Sequence, residues 1–305
     1  MGDAARPLRR RLGKKLDAAF PYWSLLPAIL LFLGLSVYPI LRLLHMSLST
    51  ISFEGGVERV AFAPMANVAL LLNDPVLRPA IVNTLVFVAV SVAAEMIIGL
   101  ALAIFVSRVR RGKGPMRTVM ILPILVPPVA IGSMWRLIYN YDFGVINQAI
   151  GVLGIERVDW LGQPSLALVS VIIVDVWHWV PFIFLILFAA VEALPVDVIE
   201  AAHLDGASRG QITRHVILPL LMPATAVAFV FRAVLAFKTF DEVFLLTAGG
   251  PGTATDLISL HIYNVFFVQN QLGYGAMLSI SLILMIVSLL LVGRRAALRV
   301  QVRHG

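Results

Sequence analysis

Three residues near the middle of the chain, Asp175, His178 and Trp179, have types and spacing suited to binding a solute. They stand at positions i, i+3 and i+4, and would therefore share one face of a helix. An aromatic ring beside hydrogen-bonding groups suits a sugar, whose ring has an apolar C–H face and polar hydroxyl edges. Trp177 and Glu95 are further candidates because both lie in strongly apolar segments. The alternative is that the tryptophans pack or lie at an interface, and that Asp175 is an interhelical partner.

Four more charged residues, Arg232, Lys238, Asp241 and Glu242, lie in or just after another apolar segment. Charged side chains in such segments usually pair with one another. We therefore expect interhelical or intersubunit salt bridges here in preference to direct contact with a solute.

Common catalytic motifs are absent from the sequence. There is no G-x-x-x-x-G-K-[ST] phosphate loop, since the Gly112-Lys113 pair is followed by Gly114. Neither H-E-x-x-H nor G-x-S-x-G occurs, the six histidines are scattered without the spacing of metal ligands, and there is no cysteine. We predict that the chain is not an enzyme, has no catalytic or metal-binding residues, and binds no cofactor itself.

The elements that position these residues must cross a membrane. Hydrophobic residues make up 60% of the 305-residue chain, charged residues only 13%, and the mean hydropathy is +0.93. Soluble domains average about 25% charged residues, so a soluble enzyme is excluded. A spanning helix needs about 20 mainly apolar residues, and the sequence predicts an all-α membrane protein with six such helices. The predicted spans are residues 21–41, 79–106, 118–135, 166–191, 216–237 and 276–292, and Pro123, Pro127 and Pro128 are expected to distort the third.

Orientation follows from the basic residues. Of the 24 Lys and Arg residues, 17 fall on one side of the predicted topology, three fall on the other, and four lie in or next to the spans. Because cytoplasmic loops are enriched in Lys and Arg, both termini are predicted to be cytoplasmic, and no nucleic acid is needed to explain the net charge of +7. The predicted organisation is a basic segment 1–20, a transmembrane domain 21–293 and a basic tail 294–305. A cleaved signal peptide is the alternative for the first span, although a signal's apolar region is shorter, at about 7–15 residues.

One cytoplasmic loop, residues 192–219, breaks the basic pattern. It carries more acidic than basic residues, so a protein partner suits it better than the anionic lipid surface. A helix with Pro195 in its first turn is predicted to present a small-residue apolar face of Ile199, Ala202 and Ala207 and to end at Gly206, which can adopt positive φ. A Ser208–Gln211 capping box then predicts a second helix, continuous with the fifth span. The alternative is an ordinary pair of interfacial helices.

Spaced residues in this loop carry a family resemblance. They are Glu200, Ala201, Ala202, Asp205, Gly206, Ala207, Leu218 and Pro219. The pattern resembles the EAA coupling motif of permease subunits of binding-protein-dependent ABC importers. The fuller pattern is similar to the carbohydrate-importer branch, the maltose- and glycerol-phosphate-type permeases. A second similar segment, residues 240–267, contains Thr247, Gly249, Gly250, Pro251, Thr255 and Tyr263.

Three positions depart from the family pattern: Thr213, where an aromatic residue is usual, Ile199, where a tyrosine is common, and Val216, where isoleucine is usual. These departures concern the detail of the partner contact and leave the resemblance intact.

The resemblance implies a type I ABC importer permease fold in the bacterial cytoplasmic (inner) membrane, with the loop 192–219 coupling to ATPase subunits. It also implies assembly with a second homologous permease, two cytoplasmic ATPase subunits that use ATP and Mg²⁺, and a periplasmic or extracellular solute-binding protein. The expected solute is a carbohydrate, polyol or glycoside. Two alternatives remain: a secondary transporter driven by an ion gradient, in which Glu95 and Asp175 carry protons, and a membrane enzyme, for which no catalytic constellation is present.

Overall fold

The computed structural model describes residues 20, 23–109 and 111–304. Apart from Phe20, the predicted basic segment 1–20 lies outside the described residues. The helices are α1 (Trp23–Ser47), α2 (Pro64–Asn73), α3 (Leu77–Ser107), α4 (Lys113–Ile121), α5 (Pro128–Ile138), α6 (Val145–Val152), α7 (Pro164–Glu192), α8 (Val196–Leu204), α9 (Arg209–Ala236), α10 (Asp241–Leu246), α11 (Ile258–Val268) and α12 (Leu272–His304).

The predicted helical membrane fold is confirmed in the described residues, with one β-hairpin as the exception to an all-α structure. Helices α1, α3, α7, α9 and the Leu272–Leu291 part of α12 are each long and apolar enough to cross a membrane. They correspond to five of the six predicted spans. Most of their ends lie within a few residues of the predicted ends. The predicted C-terminal tail begins inside α12, whose backbone stays helical to His304.

The third predicted span, residues 118–135, is not a single straight helix. It consists of Lys113–Leu125, where a 3₁₀ turn extends α4, and Pro128–Ile138, and the two parts are bent by 94°. Pro127 and Pro128 stand at the break. Proline lacks the N–H that continues a helix and forces the preceding residue into extended backbone, so the distortion predicted from the prolines is a complete break.

Helix α9 begins seven residues before the predicted start of the fifth span. It runs without interruption from Arg209 to Ala236 and contains a π-helical turn at Thr213–Ile217. The second helix of the loop 192–219 is thus continuous with a membrane-spanning helix, as the sequence predicts.

A β-hairpin between α1 and α2 was missed by the sequence prediction. Strands β1 (Ser49–Glu54) and β2 (Val57–Phe62) pair antiparallel, with Glu54 opposite Val57. Gly55 and Gly56 form the turn with φ of +61° and +79°. Gly-Gly between two strand-like segments is a hairpin signal, and it was available in the sequence.

The described chain forms two compact units. One contains α1, the hairpin, α2 as far as Leu72, and residues 270–281, which include the start of α12. The other contains α3 to α11 and the rest of α12, and it holds the residues discussed below. In this second unit α3 and α7 pack closely: a Cβ atom at Gly99 would lie 2.7 Å from Ile183 Cγ2. Small residues allow such close approach between membrane helices.

Candidate functional site

Helix α8 of the loop 192–219 ends in a Schellman motif. The Gly206 N–H donates to the His203 carbonyl at 3.1 Å, and the Ala207 N–H donates to the Ala202 carbonyl at 3.1 Å. Gly206 has φ of +76°, the left-handed conformation that this motif requires. The predicted glycine bend is therefore present and is fixed by two backbone hydrogen bonds.

A capping box starts α9. The Ser208 side chain accepts from the Gln211 N–H at 3.4 Å, and the Gln211 side chain accepts from the Ser208 N–H at 2.8 Å. This confirms the predicted capping box. Leu218 and Pro219, the last members of the motif, follow the π-helical turn of α9; Leu218 is half-buried and Pro219 is exposed.

Part of the predicted small-residue face points into the loop itself. Ile199, Ala202 and Ala207 pack against a cluster of buried residues, Val191, Ile212, Ile217 and Leu221, which also contacts Leu100 and Ile104 of α3. These three side chains are half-buried, so the predicted face packs in part against the loop's own small core and stays partly exposed.

The face left open to a partner is formed by other residues of α8. Glu200, Ala201 and Asp205 are exposed, and Leu204 is 89% exposed.

Glu95, Asp175 and Arg232 form an ion triad inside the helix bundle. Arg232 Nε lies 2.6 Å from Glu95 Oε2, and Arg232 Nη2 donates to Glu95 Oε1 at 2.8 Å and also to Asp175. All three side chains are fully buried. The triad joins α3, α7 and α9, and burial of these charges is tolerated because each faces an opposite charge.

His178 and Trp179 extend the same network. His178 Nδ1 lies 2.6 Å from Glu242 Oε1, which joins α7 to α10. The Arg232 guanidinium carbon lies 4.9 Å from the centre of the Trp179 ring, a cation–π contact. The predicted face of Asp175, His178 and Trp179 is thus a connected group, since the His178 and Trp179 ring centres lie 5.1 Å apart. The salt bridge expected for Arg232 is present, and Glu242 is hydrogen-bonded to His178.

Trp179 is the half-buried member of this network and lines a cavity of about 190 Å³. Lys238, Asp241 and Glu242 also line it. An aromatic ring with charged hydrogen-bonding groups around it is an arrangement that could hold part of a polar, ring-shaped molecule. Glu95 and Asp175 do not reach this cavity, because the triad encloses them.

Trp177 lies apart from the cavity beside Trp179. It lines an apolar cavity of about 490 Å³ together with side chains of α3, α4 and α7, and its ring centre lies 5.6 Å from that of Trp135. The lining of this second cavity is almost entirely apolar, so the contacts of Trp177 are those of packing.

The segment after α10 is fixed to the start of α3. Asn83 Nδ2 donates to the Thr253 carbonyl at 2.8 Å, and the Ile258 N–H donates to Thr84 Oγ1 at 2.9 Å. Thr247 and Thr255, two members of the second resemblance segment, are hydrogen-bonded at 2.7 Å. Thr247 and Thr255, like the backbone at Thr253 and Ile258, therefore have structural partners.

Asp256, in the same segment, is only 7% exposed. Burial raises the pKa of its carboxyl above the ordinary value; His261 opposes this shift and the Asp74 carboxylate adds to it. Among the described residues no group of three or more His, Cys, Asp or Glu side chains could hold a metal ion.

Five helices long and apolar enough to cross a membrane, one broken pair and a helix–bend–helix loop continuous with α9 define the class of the protein: a multi-pass integral membrane protein. Residues 95–302 match the family described as "Binding-protein-dependent transport system inner membrane component". The chain belongs to this family, which confirms the resemblance seen in the sequence.

Characterised relatives are similar over almost the whole chain. The trehalose/maltose transport system permease protein MalF of Thermococcus litoralis is 33% identical, with 92% of this chain and 94% of the relative covered. The sulfoquinovosyl glycerol transport system permease protein SmoG of Agrobacterium fabrum is 30% identical, with 88% and 86% covered.

A crystal structure of a bacterial ABC transporter involved in import of the acidic polysaccharide alginate contains a chain with the same fold. The TM-score is 0.82 at 23% identity, over 95% of this chain and 99% of that chain. The predicted fold of an ABC importer permease is confirmed by this likeness.

Proposed function

We propose that this protein is a transmembrane subunit of an ABC importer for a carbohydrate, polyol or glycoside. The observation that carries this proposal is the loop 192–219, in which α8 and α9 are joined by a fixed glycine bend and α9 continues into the membrane. The carbohydrate class is supported by the sugar and glycoside transport systems to which the similar permeases MalF and SmoG belong. It is also supported by the cavity beside Trp179.

The proposed complex contains a second homologous permease, two cytoplasmic ATPase subunits and an external solute-binding protein. ATP and Mg²⁺ belong to the ATPase subunits, and this chain binds no cofactor. Both termini and the loop 192–219 lie in the cytoplasm of a bacterial cell, as the excess of basic residues on that side favours.

In the proposed mechanism, ATP closes the pair of ATPase subunits and displaces α8 through its exposed residues, including Glu200, Ala201 and Asp205. Ala202 and Ala207 transmit this displacement, because they pack against the core shared by α8 and α9. The continuous helix α9 carries it past Leu218 and Pro219 to Arg232. The permease then alternates between inward- and outward-facing states whose populations are set by the ATPase.

The solute path passes Trp179 in this proposal. Its ring stacks on the apolar face of the sugar, and the charged groups around the cavity bind hydroxyl groups. Glu95, Asp175 and His178 act behind this surface: they hold Arg232 and Glu242, and so fix the ring and the cavity wall. Trp177 supports the path from the opposite side by packing.

The test is to purify the complex from its native host through this chain and identify the subunits that accompany it. A panel of sugars, polyols and glycosides, each with the co-encoded binding protein, is then screened for stimulation of ATPase activity. We expect two ATPase subunits, a second permease and stimulation by one class of carbohydrate. Purification without an ATPase, or stimulation only by a solute of another class, would contradict the proposal.

A further inference from the structure

Two polar contacts hold the loop 192–219 to the neighbouring cytoplasmic ends of α3 and α4. In the first, Lys113 Nζ lies 2.8 and 2.9 Å from the two carboxylate oxygens of Glu192. Lys113 is the first residue of α4 and Glu192 is the last residue of α7. The contact therefore joins two helix ends that are far apart in the sequence.

Both residues of this ion pair stand at the unfavourable end of their helix. A helix N-terminus favours acidic groups and a C-terminus favours basic groups, whereas Lys113 begins α4 and Glu192 ends α7. Neither residue is thus suited to stabilising its own helix. The pair is explained by the contact between the helices, which the Lys113 ammonium extends by lying 5.5 Å from the centre of the Phe188 ring.

The second contact joins Arg108 and Thr213. Arg108, at the end of α3, donates through Nη2 to the Thr213 hydroxyl, which itself donates to the Arg209 carbonyl at 2.8 Å. Thr213 is the position at which the sequence departs from the aromatic residue usual in the family. The hydroxyl has a specific partner here that an aromatic hydrocarbon ring could not replace.

We propose that Lys113–Glu192 and Arg108–Thr213 are positioning contacts for energy coupling, an inference that rests on the proposed function. They attach both flanks of the loop to α3 and α4, so that displacement of α8 moves α3 and α4 together with α7 and α9. The two attachment points on the loop, Glu192 and Thr213, enclose α8 and the glycine bend.

Packing beneath the loop supports this assignment. Leu100 and Ile104 of α3 contact the loop's small core, which includes Ile212 of α9 and Val191 of α7. Glu95, the partner of Arg232, lies about one and a half turns from Leu100 along α3. Helix α3 is therefore a second connection between the loop and the ion triad, in addition to α9.

These contacts are expected to affect how the movement of α8 is transmitted more than they affect the stability of the complex. The Lys113 and Glu192 side chains are 33% and 42% exposed, and exposed ion pairs contribute little to stability. Their loss should leave the complex assembled while the movement of α8 is transmitted less completely. Transport per ATP hydrolysed is then the quantity that changes.

The experiment uses the complete transporter in proteoliposomes, with its binding protein and the solute that stimulates ATPase activity. Uptake per ATP hydrolysed is measured for K113E, E192K, the exchanged pair K113E/E192K, T213V and T213S. We expect K113E and E192K each to lower this ratio by about threefold, which is the scale of an exposed ion pair, and the exchanged pair to restore it. T213V should lower the ratio, and T213S, which keeps the hydroxyl, should not.

A role confined to helix-end stability gives the opposite pattern. A glutamate at the start of α4 suits the helix dipole better than lysine, so K113E alone would then be neutral or beneficial. That result, or normal coupling in both K113E and T213V, would overturn the inference. Wild-type complexes that take up no solute with ATP would instead overturn the proposed function.

A second measurement remains informative if a variant assembles poorly. The chain has no cysteine, so K113C/E192C can be bridged by a short thiol-reactive cross-linker after assembly. Because the two flanks are proposed to move as one body, we expect the cross-linked transporter to retain uptake. Arrest of uptake that is reversed by cleaving the cross-linker would show that the contact opens during transport, against the inference.

Discussion

At the scale of single residues, the buried ion triad differs from Trp179 in exposure. Arg232 is enclosed by Glu95 and Asp175, and none of the three is exposed. Breaking such a buried pair by removing one partner typically costs about 3–5 kcal/mol, so these residues stabilise the packing of α3, α7 and α9. Trp179, which rests on Arg232, is half-buried and lines the cavity.

Replacing Trp179 with alanine tests its contact with the solute. Trp179→Ala removes the stacking surface, and we expect the concentration for half-maximal uptake to rise about two- to tenfold, the scale of an aromatic contact. Assembly of the complex and the affinity of the binding protein for solute should stay unchanged. Trp179→Phe is the matched control, since it keeps an aromatic face and should lose less. Normal uptake kinetics in Trp179→Ala would contradict contact with the solute and assign Trp179 a packing role only.

Asp256 gives a pH-dependent prediction. Because burial raises its pKa above the ordinary value of 3.8, the folded state is penalised when the carboxyl ionises. The penalty is absent below the ordinary pKa, develops as the pH rises through the raised value and is complete above it. Asp256→Asn should therefore raise the melting temperature of the purified protein at pH 7, with a gain that shrinks as the pH falls toward 4. An equal gain at both pH values would contradict this account.

At the scale of elements, the loop 192–219 depends on one backbone conformation. Gly206 has φ of +76°, and no heavy atom lies within 4 Å of the position of a Cβ atom there. A substitution at Gly206 therefore acts through backbone strain alone, which costs about 1–2 kcal/mol for a residue with a side chain.

Gly206→Val should weaken docking of the ATPase or uncouple hydrolysis from uptake, while the spans still insert. Gly210→Val is the matched control, because Gly210 is in the same loop, also has no atom within 4 Å of a Cβ and does not need positive φ. Glu200→Ala should have a smaller effect, since an exposed charge usually contributes little. Uptake, ATPase activity and co-purification are measured on all three. Wild-type transport by Gly206→Val would exclude this loop as the coupling element.

Elements with a local cause were predictable from the sequence, and contacts between distant segments were not. The Ser208–Gln211 capping box and the Gly206 bend depend on residues a few positions apart, and both are present. The prolines predicted distortion of the third span but not its 94° break, since the bend depends on what packs around it. The triad at Arg232 joins three helices, so residue types suggested ion pairs but could not identify the partners.

At the scale of the whole molecule, the distribution of basic residues predicts which side faces the cytoplasm. Arg111 lies in the basic connection between α3 and α4, and Val152 is 87% exposed at the end of α6, on the opposite side of the predicted topology. In this cysteine-free chain, an impermeant thiol reagent added to cells with a permeabilised outer membrane should label Val152→Cys and not Arg111→Cys. Labelling of Arg111→Cys and not of Val152→Cys would contradict the predicted topology.

The complete complex offers the most direct test of the central claim, that transport through this chain is driven by ATP hydrolysis in partner subunits. Proteoliposomes are loaded with ATP and Mg²⁺, supplied outside with binding protein and solute, and treated with ionophores that collapse all ion gradients. The account predicts solute accumulation that requires ATP and is unaffected by the ionophores. Accumulation that proceeds without ATP and disappears with the ion gradients would contradict it and identify a secondary transporter.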